Sequence, residues 1–152
     1  MGKLRAKTEL ELDLPTEAQW EYACRAGTTS KYNNGGNSEA DLKTLGRYSG
    51  NRNDGRGGYS EYTTKVGSYS SNVWGLYDMH GNVWEWCLDW YGDLSASTDP
   101  VGPTSGSGRV LRGGCWDSFA DRCTSSDRLS SRSSDERNDI SHGFRVACPI
   151  GL

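Results

Sequence analysis

Five cysteines, two histidines and a scatter of carboxylates are the groups in this chain that could hold a metal or attack a substrate. The thiols are Cys24, Cys87, Cys115, Cys123 and Cys148, and no two form a Cys-x-x-Cys pair, so a structural zinc site is not expected. An odd number leaves at least one thiol unpaired whatever disulfides form. Cys115 and Cys123 are candidates for a bridge; the alternative is that the thiols are buried as small apolar side chains. His80 and His142 are too few for a facial iron site, which needs several imidazole or carboxylate ligands. The run Asn51-Arg52-Asn53-Asp54-Gly55 has the look of a calcium loop but lacks the closing bidentate glutamate, and reads as an Asx-rich turn.

A different chemistry, recognition without reaction, is suggested by the 26 residues from Asp117 to His142. Their apolar members are Phe119, Ala120, Cys123, Leu129 and Ile140, too few to build packed structure alone, so the segment must lie over a core built elsewhere. It has no Lys, Gln, Met or Trp and a single glutamate, Glu136, although Lys and Glu are ordinarily among the commonest residues. Short polar side chains around a few apolar ones suit protein contact, as in antibody loops.

The elements that must position these groups are few. Thr16 and Gln19 form a capping box opening a short helix whose buried stripe is Trp20, Ala23 and Cys24, with Gly27 as its left-handed stop. Residues 28–60 read as one long Gly, Asn and Ser-rich loop that needs an anchor. Around the turn His80-Gly81-Asn82 gather four of the six tryptophans. Val83 to Cys87 alternates as a strand there, with Trp84 and Trp86 on one face and Val83 and Glu85 on the other. Further strands are expected at Arg109–Arg112, ended by Gly113-Gly114, and at Gly143–Ala147.

With 152 residues, 34% hydrophobic content, 20 glycines and aromatic area carried by 6 Trp and 8 Tyr, the chain reads as one domain, residues 1–152. It is of α+β class, with few short helices and much irregular loop. A net charge of −3 with scattered basic residues argues against nucleic acid as a partner. No apolar run reaches membrane-spanning length, and Met1-Gly2-Lys3-Leu4 lacks the apolar core of a secretion signal, so the location stays open.

Four stretches carry a resemblance: LPTEAQWEYA at 14–23, GLYDMHGNVWEW at 75–86, RVLRGG at 109–114 and GFRV at 143–146. In order and spacing they resemble the formylglycine-generating enzyme (sulfatase-modifying factor) family, from about Leu12 onward. That family starts with further strands and a helix, so the chain is either a minimal version or the end of a longer protein. The resemblance implies a C-type-lectin-like fold with small twisted antiparallel sheets. Catalytic members use two cysteines to bind copper(I) and activate oxygen. Here Ser118 stands at the first of those positions, a shortened loop offers no second, Cys123 matches a later non-catalytic cysteine, and Cys115 replaces a serine. No copper and no such catalysis are therefore expected. The family's iron-dependent branch needs histidines on an additional helical domain that this chain lacks.

The resemblance also implies a structural calcium site at Asp78, Gly81, Val83 and Glu85, with turn and surface hydrogen bonds of Asp78 and Glu85 as the alternative reading. Some members of this fold are varied by diversity-generating retroelements, which mutate adenines in codons of the Asn type and so do not produce Lys, Glu, Gln, Met or Trp. The make-up of residues 117–142 agrees with that, Glu136 excepted. The implied function is a non-catalytic binding protein, surface-displayed or virion-associated, that recognises a protein on a cell or viral surface through residues 116–142. Trp116 would be a fixed wall. The implied contacts are Asp117, Ser118, Phe119, Asp121, Arg122, Asp127, Leu129, Ser130, Ser131, Asp139, Ile140, Ser141 and His142. The competing expectations are a copper-dependent oxidase using unconventional thiols and a calcium-dependent sugar lectin, the latter weakened by the absence of a Glu-Pro-Asn-type motif. Arg112 and Arg145 at the strand ends suit carboxylate pairing as well as ligand contact.

Overall fold

The computed structural model describes residues 2–52, 62–94, 100, 102–131 and 140–148. Among these residues three helices, α1 (Gly2–Thr8), α2 (Glu17–Arg25) and α3 (Glu39–Leu42), precede four strands, β1 (Trp84–Trp90), β2 (Arg109–Arg112), β3 (Arg128–Ser131) and β4 (His142–Gly143). Short 3-10 turns lie at Ser49–Asn51 and Ala120–Cys123. The strands form one sheet in the order β3-β2-β1-β4, antiparallel except that β4 runs parallel to β1.

Helix α2 begins where its capping box requires. The Gln19 amide donates to Thr16 Oγ1 at 3.2 Å, and the Thr16 amide donates back to Gln19 Oε1 at 3.0 Å. The left-handed stop comes one residue before the expected glycine, at Ala26 (φ 46°), and Gly27 continues it.

Strand β1 alternates as its sequence demands, yet both faces are covered. Trp84 and Trp86 pack with Leu111, Cys115, Trp116 and Leu129. On the other face Cys87 joins Trp20, Cys24, Met79 and Val110 beneath α2. Glu85 and Asp89 are buried on that face too: Trp20 Nε1 donates to Glu85 at 2.6 Å, and the Glu17 amide donates to Asp89 at 2.6 Å. Polar burial is tolerated because each carboxylate has its donors. Register breaks between Trp86 and Trp90, a bulge against β2.

The final strand is shorter than expected. Only His142–Gly143 pairs with β1, because the next amide of that edge available for pairing, Leu88, donates to Pro15 O at 3.0 Å. Beyond it Phe144 and Val146 face outward and Arg145 inward, until Ala147 bridges Asp13, just ahead of α2. The long loop is anchored by a second small core, Tyr32, Leu42, Leu45 and Tyr48 packed against Cys123. Among the described residues no three His, Cys, Asp or Glu side chains are grouped to hold a metal.

Candidate functional site

The segment that begins at Trp116 leaves and rejoins the frame at neighbouring points. The Trp116 amide donates to Asn82 O at 2.9 Å, and the Trp84 amide donates to Ser141 O at 2.8 Å, so both ends are clamped on residues 82–84. Asn82 adopts φ 68°, a left-handed conformation Asn tolerates, and its side chain accepts from the Thr64 amide at 3.0 Å. Before it, Gly81 (φ 79°) presses on another backbone: a Cβ there would lie 2.0 Å from Arg47 O.

Between the clamps the backbone is tied down from below. His80, fully buried, donates from Nδ1 to Cys123 O at 2.7 Å and accepts at Nε2 from the Asn33 amide at 3.1 Å. That pattern requires a neutral ring, and burial pushes its pKa down to about 4. The Ser125 amide donates to Lys31 O at 2.8 Å. Arg112, with no exposed surface, donates to Ser125 O at 2.9 Å, to Asp127 O and to Glu21, and lies 3.5 Å from Glu17. Arg128 makes a two-pronged pair with Glu17 at 2.6 and 2.7 Å. Arg145 does the same with Glu85, at 2.6 and 2.8 Å. The arginines at the strand ends therefore pair with carboxylates of the frame.

The implied contact residues divide accordingly. Asp117, Phe119 (74% exposed), Asp121, Ser130 and Ile140 (61% exposed) face outward, and Ser118, Arg122, Ser141 and His142 are half-buried. Ser131 is buried, Leu129 packs under the sheet with Trp84, and Asp127 is held by Arg122 at 3.0 Å. Asp139 lies outside the described residues. Trp116 is 9% exposed, and its indole N–H is buried without an acceptor. Two turns that the sequence reading did not connect with this surface also border it: the loop at Arg47–Arg52 and the clamp at Asn82. Their contacts with the surface have no spacing signal, because Arg52 meets Asp117 65 residues away and Asn82 meets Thr64 18 residues away.

Cys24, Cys87, Cys115 and Cys123 are buried and form no disulfide. Cys115 Sγ lies 3.3 Å from Ser118 Oγ, which also accepts the Cys115 amide at 3.0 Å. Burial raises the Cys123 and Cys87 thiols well above their ordinary range and pushes Cys24 up to about 12, which disfavours the thiolates that copper(I) binding uses. Asp78, Val83 and Glu85 line one cleft of about 460 Å³. Asp78 accepts the Gly67 amide at 2.7 Å through one oxygen, while the other is buried without a partner. Glu85 carries three bonds from Trp20 and Arg145. The orphan oxygen of Asp78 is a donor of the kind a hard cation takes, whereas both Glu85 oxygens are engaged by Trp20 and Arg145, and Gly81 does not line this cleft.

A model of the sulfatase-modifying factor enzyme 1-like domain matches residues 2–150. The chain belongs to this family. The formylglycine-generating enzyme of Streptomyces coelicolor is 39% identical over 150 residues, covering 88% of this chain and 46% of that protein. A serine/threonine-protein kinase, pkn1 of Chlamydia caviae, is 43% identical over 141 residues, 88% of this chain but 20% of the kinase. Among solved structures, Treponema denticola variable protein 1 superposes with a TM-score of 0.78 at 41% identity, over 90% of this chain and 47% of that one. PvdO from Pseudomonas aeruginosa superposes with a TM-score of 0.75 at 27% identity, over 98% of this chain and 57% of that one. The chain thus spans less than half of the matched enzyme and of the variable protein. These likenesses bear out the family and the α+β, C-type-lectin-like fold.

Proposed function

We propose that this family member is a non-catalytic binding domain that recognises a protein ligand through the outward residues of its 116–142 segment, and that a retroelement diversifies that segment. The observation that carries the reading is the division within the segment. Cys123, Ser125, Arg128 and Ser131 face the frame, whereas Asp117, Phe119, Asp121, Ser130 and Ile140 are exposed, Asp117 while paired with Arg52. Such a surface can change its side chains while its backbone stays fixed. The likeness to a protein named as variable supports the same reading. A protein of this kind would act displayed on a cell or virion surface; among the described residues no helix is long and apolar enough to cross a membrane. Calcium, held by Asp78, Glu85 and the carbonyls of Gly81 and Val83, would brace the turn before β1 and take no part in chemistry.

The test is to sequence independent copies of the gene. Substitutions gathered at codons for outward residues, sparing Trp116, Cys123, Ser125 and Arg128 and matched by an adenine-bearing template repeat nearby, are the expected result. Divergence spread evenly along the chain would sink the proposal.

A further inference from the structure

A residue far outside the segment enters its outward surface. Arg52 follows the 3-10 turn Ser49–Asn51 and forms an ion pair with Asp117. Its guanidinium carbon lies 5.8 Å from the ring centre of Trp116. The stretch that carries it is rigidly placed. Arg47, buried, donates to Asn51 O at 2.7 Å and to Arg52 O at 3.2 Å. Asn51 donates to Gly46 O at 2.8 Å and accepts from the Tyr48 amide at 2.9 Å. The Ser49 amide donates to Ser118 O at 3.0 Å, and the Asn82 amide to Arg47 O at 2.8 Å, so this loop and the segment share one clamp. Asp117, by contrast, is more than half exposed and is one of the outward residues.

Resting on the binding reading above, we infer that Arg52 is a fixed specificity-determining residue of the ligand surface, and that residue 117 sets the charge it presents. With aspartate at 117 the guanidinium is countered, and the surface accepts neutral or basic ligand patches. With a neutral side chain at 117, one negative charge is removed beside a guanidinium lying against an indole, and the surface turns toward acidic ligands. Arg52 has further contacts, so the argument rests on that change of one charge and not on a free cation. An arginine in this role suits carboxylate groups, which it meets with paired N–H donors. Placing the cation on a residue outside the diversified stretch gives each variant the same anchor, and the codon for residue 117 changes the net charge beside it by one.

The experiment uses the purified chain and its Asp117→Asn, Arg52→Gln and double variants, each checked for an unchanged thermal transition. Binding of a fluorescent hexaglutamate peptide is read by anisotropy at low and moderate salt. Asp117→Asn should bind roughly tenfold tighter than the parent, the size of one charge-assisted pair, with the gain shrinking as salt rises. The double variant should lose the gain. A gain that survives Arg52→Gln, or no gain at all, overturns the assignment of Arg52. A companion library randomised at 117, 119, 121, 130 and 140 and selected against a basic protein, hen lysozyme, separates this from the broader reading. Binders recovered there alongside a failed Arg52 test leave the binding surface standing and remove only Arg52; no binders at all would count against the surface itself.

Discussion

Lowering the pH from 8 to 5 should destabilise this fold by about 2 kcal/mol through one side chain, His80. Its ring must stay neutral, because Nδ1 spends its proton on Cys123 O and Nε2 must accept from the Asn33 amide. Burial lowers its pKa from 6.5 in the open chain to about 4 in the fold. The unfolded chain then binds more protons than the native one between those values, so stability rises with pH there and is lost as pH falls. For pKa values of about 6.5 and 4, the loss by pH 5 amounts to about 2 kcal/mol, and full protonation would bring it to about 3.4 kcal/mol. Asp127 acts in the opposite sense: burial raises its pKa, so its protonation favours the folded state as pH falls. Urea unfolding at pH 8, 7, 6 and 5 in EDTA measures the slope, and His80→Gln, which keeps a neutral acceptor and donor, should flatten it. In a chain of this size about 2 kcal/mol corresponds to a thermal midpoint lower by roughly 4–8 °C. A wild-type stability that is level over this range, or a slope that persists unchanged in His80→Gln, would refute the assignment.

Replacing Glu85 by Ala removes the carboxylate paired with Arg145 and the acceptor of the buried Trp20 indole N–H and should cost about 3–5 kcal/mol by chemical denaturation, whereas a Glu85→Met, Arg145→Met double variant should recover the part due to the unpaired guanidinium but not that of the indole N–H. With a disulfide-exchange reagent, Cys148 should react first, and Cys24, Cys87 and Cys123 only on the time scale of unfolding; early reaction of the buried thiols would contradict their packing. If calcium binds at Asp78, a concentration about 100 times its dissociation constant should stabilise the fold by about 2.7 kcal/mol, and Asp78→Ala should abolish the shift; an equal shift in the variant would move the ion elsewhere.

The parts legible in the sequence are those whose partners are near in sequence or whose period is strict. Thr16 and Gln19 are three residues apart, so the capping box could be read directly. The alternation from Trp84 onward and the Arg-Val-Leu-Arg run placed β1 and β2. Burial of Glu85 and Asp89 was not legible, because it depends on Trp20, Arg145 and the Glu17 amide, 60 to 72 residues away. The anchor of the long loop was hidden for a related reason: Tyr32, Leu42, Leu45 and Tyr48 follow no helical or strand period, and their fifth member, Cys123, comes from the far end of the chain. The expectation that residues 117–142 rest on a core built elsewhere fits the tethers. It understated their share, since β3 extends the sheet and Cys123 fills a core.

That double role sets what the segment can vary. Exposed substitutions away from tethers usually change stability by less than about 0.5 kcal/mol, whereas breaking a buried ion pair costs about 3–5 kcal/mol. A domain of this size is stable by only about 5–15 kcal/mol, so it tolerates many of the first kind and hardly two of the second. The tethers act mainly on backbone atoms: His80 holds the Cys123 carbonyl, and Arg112 holds those of Ser125 and Asp127. A carbonyl is present whatever the side chain, so these anchors survive substitution at the residues they hold. Arg128 is the exception, since its own side chain makes the pair with Glu17. Within the described part of the segment it is therefore the charged residue whose replacement should cost folding most, and the charged position that functional variants should leave unchanged.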